Sequence, residues 1–240
     1  MALIKTIDAR GKKVLIISDL HFPWSVSHWF EFLSKIHEKR QYDIIISIGD
    51  EVDHHAISFH EKEDGMPCGS KELEMAQADM MLMATLFPKM YILTSNHGSL
   101  VFRKAKFHGI PYAMIKPLPE LYGTPLYEWH DEIILKTNAG LVYLCHGKSS
   151  SYGKIVKDMG VSCIQGHFHS KAEITYHQTI TGKKFSMFVG CLADDKKIAF
   201  NYAKNNIPKF INSVGEIDKN GQPHLIFYRQ PRDNNNAGEK

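Results

Sequence analysis

The chain has 240 residues, 43% of them hydrophobic, which is enough for one large α/β domain with a substantial core. Lys and Arg total 29 against 26 Asp and Glu, and the resulting +3 speaks against binding nucleic acid by bulk charge and for a small substrate. No apolar run approaches the roughly 20 residues needed to span a bilayer. Residues 1–13 carry Lys5, Asp8, Arg10, Lys12 and Lys13 with no signal-peptide core, so a soluble cytoplasmic protein without membrane contact is expected. Cys68, Cys145, Cys163 and Cys191 form no Cys-x-x-Cys pair, the pattern of free thiols in a reducing compartment. Histidine, at 14 residues, is abundant enough that imidazole positions guide the rest.

Residues 13–18 make a short buried strand ending in Asp19-Leu20-His21, two metal-ligand types that point the same way in extended chain. Apolar positions Val26, Trp29, Phe30, Leu33 and Ile36 predict a crossover helix over 25–40. The isoleucine-rich run 44–48 is a strand covered on both faces; it stops at Gly49 and delivers Asp50, Glu51 and Asp53. Asp50 thus lies at a strand's C-terminal end, where open α/β sheets bind ligands. Taken alone, the segment is equally well explained by Asp50 capping a helix. Residues 54–69, with His54, His55 and His60, have loop composition. A helix over 70–87 follows, its methionines assigned to an adaptable core.

A strand over 89–94 runs into Ser95-Asn96-His97-Gly98, and a helix over 98–108 carries Arg103 to where it can meet an anion, although a solvated helical arginine is the plainer account. An irregular connection then extends to about residue 131. A hairpin, 132–137 with 141–145, ends in His146-Gly147-Lys148-Ser149; position 142 is Val, so this Gly-Lys-Ser is not a nucleotide-triphosphate loop. A helix over 150–159 and a strand over 161–165 lead to Gly166-His167-Phe168-His169. Segments 171–177 and 183–189 are antiparallel strands of a second sheet, to which 210–217 and 224–228 are expected to add. Residues 229–240, rich in Asn, Gly and charge, are expected to be a disordered tail after a single domain over 1–228.

Five strand ends therefore present Asp19 and His21, Asp50, Asn96 and His97, His146, then His167 and His169. One zinc takes about four ligands, so the set is too large for one ion and suits two that share a carboxylate. Such a pair clamps an in-line displacement at phosphorus and supplies hydroxide near neutral pH. The mixture of imidazole, carboxylate and amide favours manganese, then zinc or iron, with magnesium less suited.

These motifs, Asp19-Leu20-His21, Gly49-Asp50-Glu51-Val52-Asp53, Asn96-His97, His146-Gly147 and Gly166-His167-Phe168-His169, resemble in order those of the calcineurin-like metallophosphoesterases. The resemblance spans residues 19–169 and implies two mixed sheets flanked by helices, a four-layer α/β/β/α sandwich. It further implies Asp19, His21 and His169 on one divalent ion, Asn96, His146 and His167 on a second, and Asp50 bridging. His97 would stabilise the transition state or protonate the leaving oxygen. The family places an acid after Asn-His where this chain has Gly98, and Asp53 is the candidate to replace it. Similarity to small phage-type members implies a phosphomonoesterase acting on a small phosphorylated substrate, a nucleoside 5′-monophosphate by preference. A phosphodiesterase or nuclease with the same centre is the alternative; a non-catalytic scaffold is disfavoured by the intact ligand set. Arg103, His55 and Tyr152 are candidate substrate contacts, with Phe22 and Trp24 further candidates for a stacking wall.

Overall fold

The computed structural model describes residues 3–58, 64–203 and 209–230. The predicted tail beyond 230 and the predicted loop residue His60 lie outside the described residues.

The isoleucine-rich strands form where expected. Strands β1 (Ile4–Asp8), β2 (Val14–Ile17), β3 (Ile44–Ser47), β4 (Met90–Leu93) and β5 (Tyr127–His130) precede the hairpin β6 (Glu132–Thr137) and β7 (Gly140–Cys145). After it come β8 (Ser162–Gln165), β9 (Ala172–Thr179), β10 (Gly182–Val189), β11 (Ser213–Ile217) and β12 (Pro223–Phe227). Helices α1 (Trp29–Arg40), α2 (Gly69–Leu86), α3 (Leu100–Phe107), the single turn α4 (Leu118–Leu121) and α5 (Lys154–Met159) connect them.

Among the described residues twelve strands fall into two six-stranded sheets, ordered β12-β11-β2-β3-β4-β5 and β1-β6-β7-β8-β10-β9. Along β2, Val14 and Ile16 pack between the sheets while Leu15 and Ile17 pack against the outer helices, the two-faced burial that a continuous apolar run requires. On β3, Ile44 and Ile46 face inward and Ile45 outward in the same way. Leu33 of α1 with Met80 and Met83 of α2 covers one sheet. Ile155 and Val156 of α5 meet Tyr143 and Cys163 on the other. The four-layer α/β/β/α sandwich is therefore observed.

Several expectations are corrected. The C-terminal hairpin joins the first sheet, not the second: β11 pairs antiparallel with β2, matching Gly215 to Ile16. Gly215 suits that place, since a Cβ there would lie 2.9 Å from Met187 Cε of the facing sheet. Strand β5 occupies part of the supposed irregular connection and pairs parallel with β4, and β1 pairs parallel with β6. Helix α1 begins at Trp29, because Ser25 bridges to Ala193 and His28 caps the helix in the left-handed region. Helix α5 begins only after Gly153, which is left-handed as well. On α2, Met81 and Leu82 are exposed at 50% and 41% and lie outside the methionine core. Phe22 and Trp24 are core residues, Phe22 against Trp29 and Trp24 bonded to Glu72, so neither forms a stacking wall. Among the described residues no helix is long and apolar enough to cross a membrane.

Candidate active site

The loops that follow β2 and β3 are stitched together through their main chains. Asp19 N–H donates to the Gly49 carbonyl at 3.0 Å and His21 N–H to the Asp50 carbonyl at 2.9 Å. The loops after β7 and β8 are joined by Gly166 N–H donating to the His146 carbonyl at 2.8 Å. Three glycines let these pairs of loops close on one another. A Cβ on Gly49 would lie 2.6 Å from Ser95 Cβ and 2.9 Å from His146 Nδ1, and one on Gly147 would lie 2.5 Å from His167 Cβ. At Gly166 it would collide with Ser18 Oγ and come within 2.6 Å of Asp19 Oδ2. Asp19, His21, Asp50 and His167 themselves have positive φ, conformations that non-glycine residues take where surrounding structure over-determines them.

Asp19 and Asp50 each have one carboxylate oxygen committed and one facing imidazoles. Asp19 Oδ2 accepts from the Ser18 hydroxyl and from His167 N–H, the latter at 2.8 Å, while Oδ1 stands 3.1 Å from His169 Nε2 and 3.8 Å from His21 Nε2. Asp50 Oδ1 accepts His97 N–H at 3.0 Å, and its Oδ2 lies 3.7 Å from His21 Nε2 and 3.1 Å from His146 Nε2. Asp50 N–H is held by Ser95 Oγ at 2.8 Å, which further fixes the carboxylate.

The imidazoles are oriented from behind. His21 Nδ1 is 2.5 Å from Asp53 Oδ1, and His146 Nδ1 donates to the Ile48 carbonyl at 2.9 Å, so each ring presents Nε2 to the centre. There His21 Nε2 meets His169 Nε2 at 3.2 Å, and His146 Nε2 meets Asn96 Oδ1 at 2.8 Å. His167 stacks edge-on to His146 with ring centroids 5.1 Å apart. Side-chain donors of Asp19, His21 and His169 cluster within ligand reach of one another, as do those of Asp50, His146 and His167; Asp50 also groups with His21 and His97. The structure thus brings together all seven residues that the sequence singles out as ligands, with Asp50 between the two groups. Convergent ring nitrogens and carboxylate oxygens, with His21 and His146 fixed through their other nitrogens, form a donor set that fits divalent cations.

Electrostatics agree with that geometry. Burial opposes charge on His21, but Asp19 and Asp53 outweigh it and push the imidazole up to about 10. Burial likewise opposes charge on His146, and Asp50 raises it to about 9. Burial works against ionised Asp50, yet His146, with His97 and His21, holds its carboxyl well below the usual range. The cluster stabilises positive charge between two buried carboxylates, whether protons or cations carry it.

His97 Nδ1 is 2.5 Å from the main-chain carbonyl of Asp53 and 3.3 Å from Asp53 Oδ1, so Asp53 does stand where His97 lacks a following acid. Glu51 occupies the space beside Gly98: a Cβ at 98 would lie 3.2 Å from Glu51 Oε1, which accepts from Trp129 Nε1 at 3.1 Å. Burial pushes the Glu51 carboxyl up to about 7. Glu51, Ser18 and Ser95 carry site contacts that no sequence pattern assigned to them; the signal available was adjacency, each being next to Asp19, Asp50 or Asn96.

A cavity of about 400 Å³ opens over Asn96, His146 and His167, with Arg103 in its wall. His55 and Tyr152 do not line it. His55 is buried, its Nδ1 3.8 Å from Asp53 Oδ2. Tyr152 packs edge-on to Phe188 at 4.8 Å and lies beneath Lys171 Nζ at 4.8 Å.

No family model matches the chain, and no curated protein matches it. Among solved structures it is similar to an archaeal phosphodiesterase, at 14% identity and TM-score 0.48, over 90% of this chain and 99% of that one. Vacuolar protein sorting 29 of Cryptosporidium parvum is similar at 15% identity and TM-score 0.45, over 90% and 96% of the two chains. A putative diadenosine tetraphosphatase is similar at 11% identity and TM-score 0.46, over 96% and 100%. Likenesses this distant leave activity to be argued from the residues themselves.

Proposed function

We propose that the protein is a two-metal phosphoester hydrolase acting on a phosphomonoester, with a nucleoside 5′-monophosphate as the preferred substrate. The observation that carries this reading is Asp50 Oδ2, the one oxygen of that carboxylate left uncommitted, set between His21 Nε2 and His146 Nε2 at 3.7 and 3.1 Å. A carboxylate so placed suits a bridging role. Asp19, His21 and His169 would hold one divalent ion, and Asn96, His146 and His167 the other. A pair of such ions supplies Lewis acidity toward phosphoryl oxygens and makes water nucleophilic near neutral pH.

The protein's own part is positioning and proton transfer. His97 Nδ1–H donates to the main-chain carbonyl of Asp53, which leaves Nε2 for the substrate. As the water oxygen bonds to phosphorus and the P–O bond to the leaving group breaks, the imidazolium form of His97 gives its Nε2 proton to the leaving oxygen; solvent takes the proton that the water loses and returns one to Nε2. The unpaired Cys145, Cys163 and Cys191 thiols, all buried, support a reducing, cytoplasmic location.

Turnover of p-nitrophenyl phosphate against bis-p-nitrophenyl phosphate, with manganese, zinc, iron or magnesium added in turn, tests this reading. Monoester hydrolysis dependent on metal is expected. Preference for the diester overturns the substrate class, and no hydrolysis of either compound in any metal overturns the enzyme.

A further inference from the structure

Helix α3 forms one wall of the cavity over Asn96, with Ser99 and Arg103 one turn apart on the lining face. Arg103 Nη2 donates to the main-chain carbonyl of Asn96 at 2.6 Å, whereas the side chain of Asn96 points its Oδ1 at His146. The guanidinium is therefore anchored to the main chain of a residue whose side chain faces the candidate metal ligands. That bond uses one of five N–H donors, and no carboxylate lies within ion-pair distance of Arg103 among the described residues.

Lys148, just beyond β7, lines the same cavity. Its N–H is fixed by Gln165 Oε1 at 2.9 Å, and its ammonium pairs with Glu132 with 52% of the side chain exposed. Glu132 is only 16% exposed, but the half-exposed lysine carries three donors, so an incoming dianion shares the ammonium with Glu132 and need not displace it. Asp131 is the one acid among the lining residues, and its Oδ2 already accepts Leu3 N–H at 2.7 Å. The cavity, at about 400 Å³, has room beyond a single phosphoryl group.

We infer that Arg103 and Lys148 form a subsite for a second phosphate on the substrate's leaving group, which narrows the nucleoside 5′-phosphate class proposed above to those members that carry a further phosphate. A guanidinium with free donors is suited to bidentate capture of phosphate, and the lysine adds a mobile point charge. The inference rests on the hydrolase reading above.

The test is inhibition of p-nitrophenyl phosphate turnover by the manganese-loaded full chain, comparing adenosine 5′-monophosphate with adenosine 3′,5′-bisphosphate. The bisphosphate is expected to have an inhibition constant at least about tenfold lower. Arg103→Met is expected to shrink that ratio to about two or less, Arg103→Lys to retain part of it, and Lys148→Met to narrow it. Because the readout is a ratio within each variant, a general loss of activity does not move it. Equal constants in the native protein, or a ratio that survives the Arg103→Met, Lys148→Met double variant, overturn the subsite while leaving the hydrolase intact. No turnover of p-nitrophenyl phosphate in any metal overturns the hydrolase and the subsite with it.

Discussion

Nε2 of His21 faces Nε2 of His169 across 3.2 Å, although the two residues are 148 positions apart in sequence. His21 gives its other nitrogen to Asp53, so this contact sets two inward-facing ring nitrogens against each other beside Asp19 Oδ1. Replacing Asp53 with Asn removes the acceptor charge behind His21 without touching the centre. Manganese affinity is expected to fall about 10- to 100-fold, read by chelator competition, with the thermal midpoint changed far less. Unchanged affinity would remove Asp53 from that role.

His97→Ala tests the proton donor separately from the metal ligands. Turnover is expected to fall by about 10²- to 10⁴-fold while metal content stays at the native value by elemental analysis. A leaving group of lower pKa needs its proton less, so the loss should be smaller for p-nitrophenyl phosphate than for an alkyl phosphate. An equal loss on both substrates would point to a positional role instead.

Close loop packing predicts an asymmetry among glycines. Gly166→Ala drives a methyl into Ser18 and Asp19 and is expected to cost about 1–3 kcal/mol, read by denaturant unfolding, and to weaken metal binding as well. Gly69→Ala, where the added Cβ meets nothing nearer than 3.8 Å at the start of α2, is expected to be neutral or slightly stabilising. Similar effects at both positions would refute the packing account.

Asp79 on α2 supplies a pH dependence remote from the site. Burial raises its carboxyl to about 6 from an ordinary 3.8, so the folded state favours the protonated form. Stability from this group is full below about pH 4, declines as pH rises toward 6, and is absent above. Asp79→Asn is therefore expected to stabilise the protein at pH 7.5, by about 1–2 kcal/mol once solvent screening of this partly exposed group is allowed for, and to change little at pH 4. A gain of equal size at both pH values would contradict burial as the cause.

Much of the centre is legible in sequence because its ligands follow buried strands, and such strands announce themselves as apolar runs that stop abruptly. Asp50 after Ile44–Ser47 is the plainest instance. Asp53 as the neighbour of His97 is legible, but not the way it acts, since the shorter contact is to its main-chain carbonyl, which any residue at 53 would offer. Nor does alternation say which sheet a strand joins: the 210–217 segment reads as buried in either, and only its pairing with β2 decides. Strands β1 and β5 are hidden for a related reason. Their sequences, Ile-Lys-Thr-Ile-Asp and Tyr-Glu-Trp-His, are short and half-polar, and parallel pairing makes them strands where local preference alone does not.

Anomalous diffraction from manganese-soaked crystals tests the central claim most directly. Two peaks about 3.5–4 Å apart, one beside Asp19 and His169, the other beside Asn96 and His146, with Asp50 Oδ2 touching both, are the predicted result. A single peak, or two with Asp50 turned away from either, would contradict it.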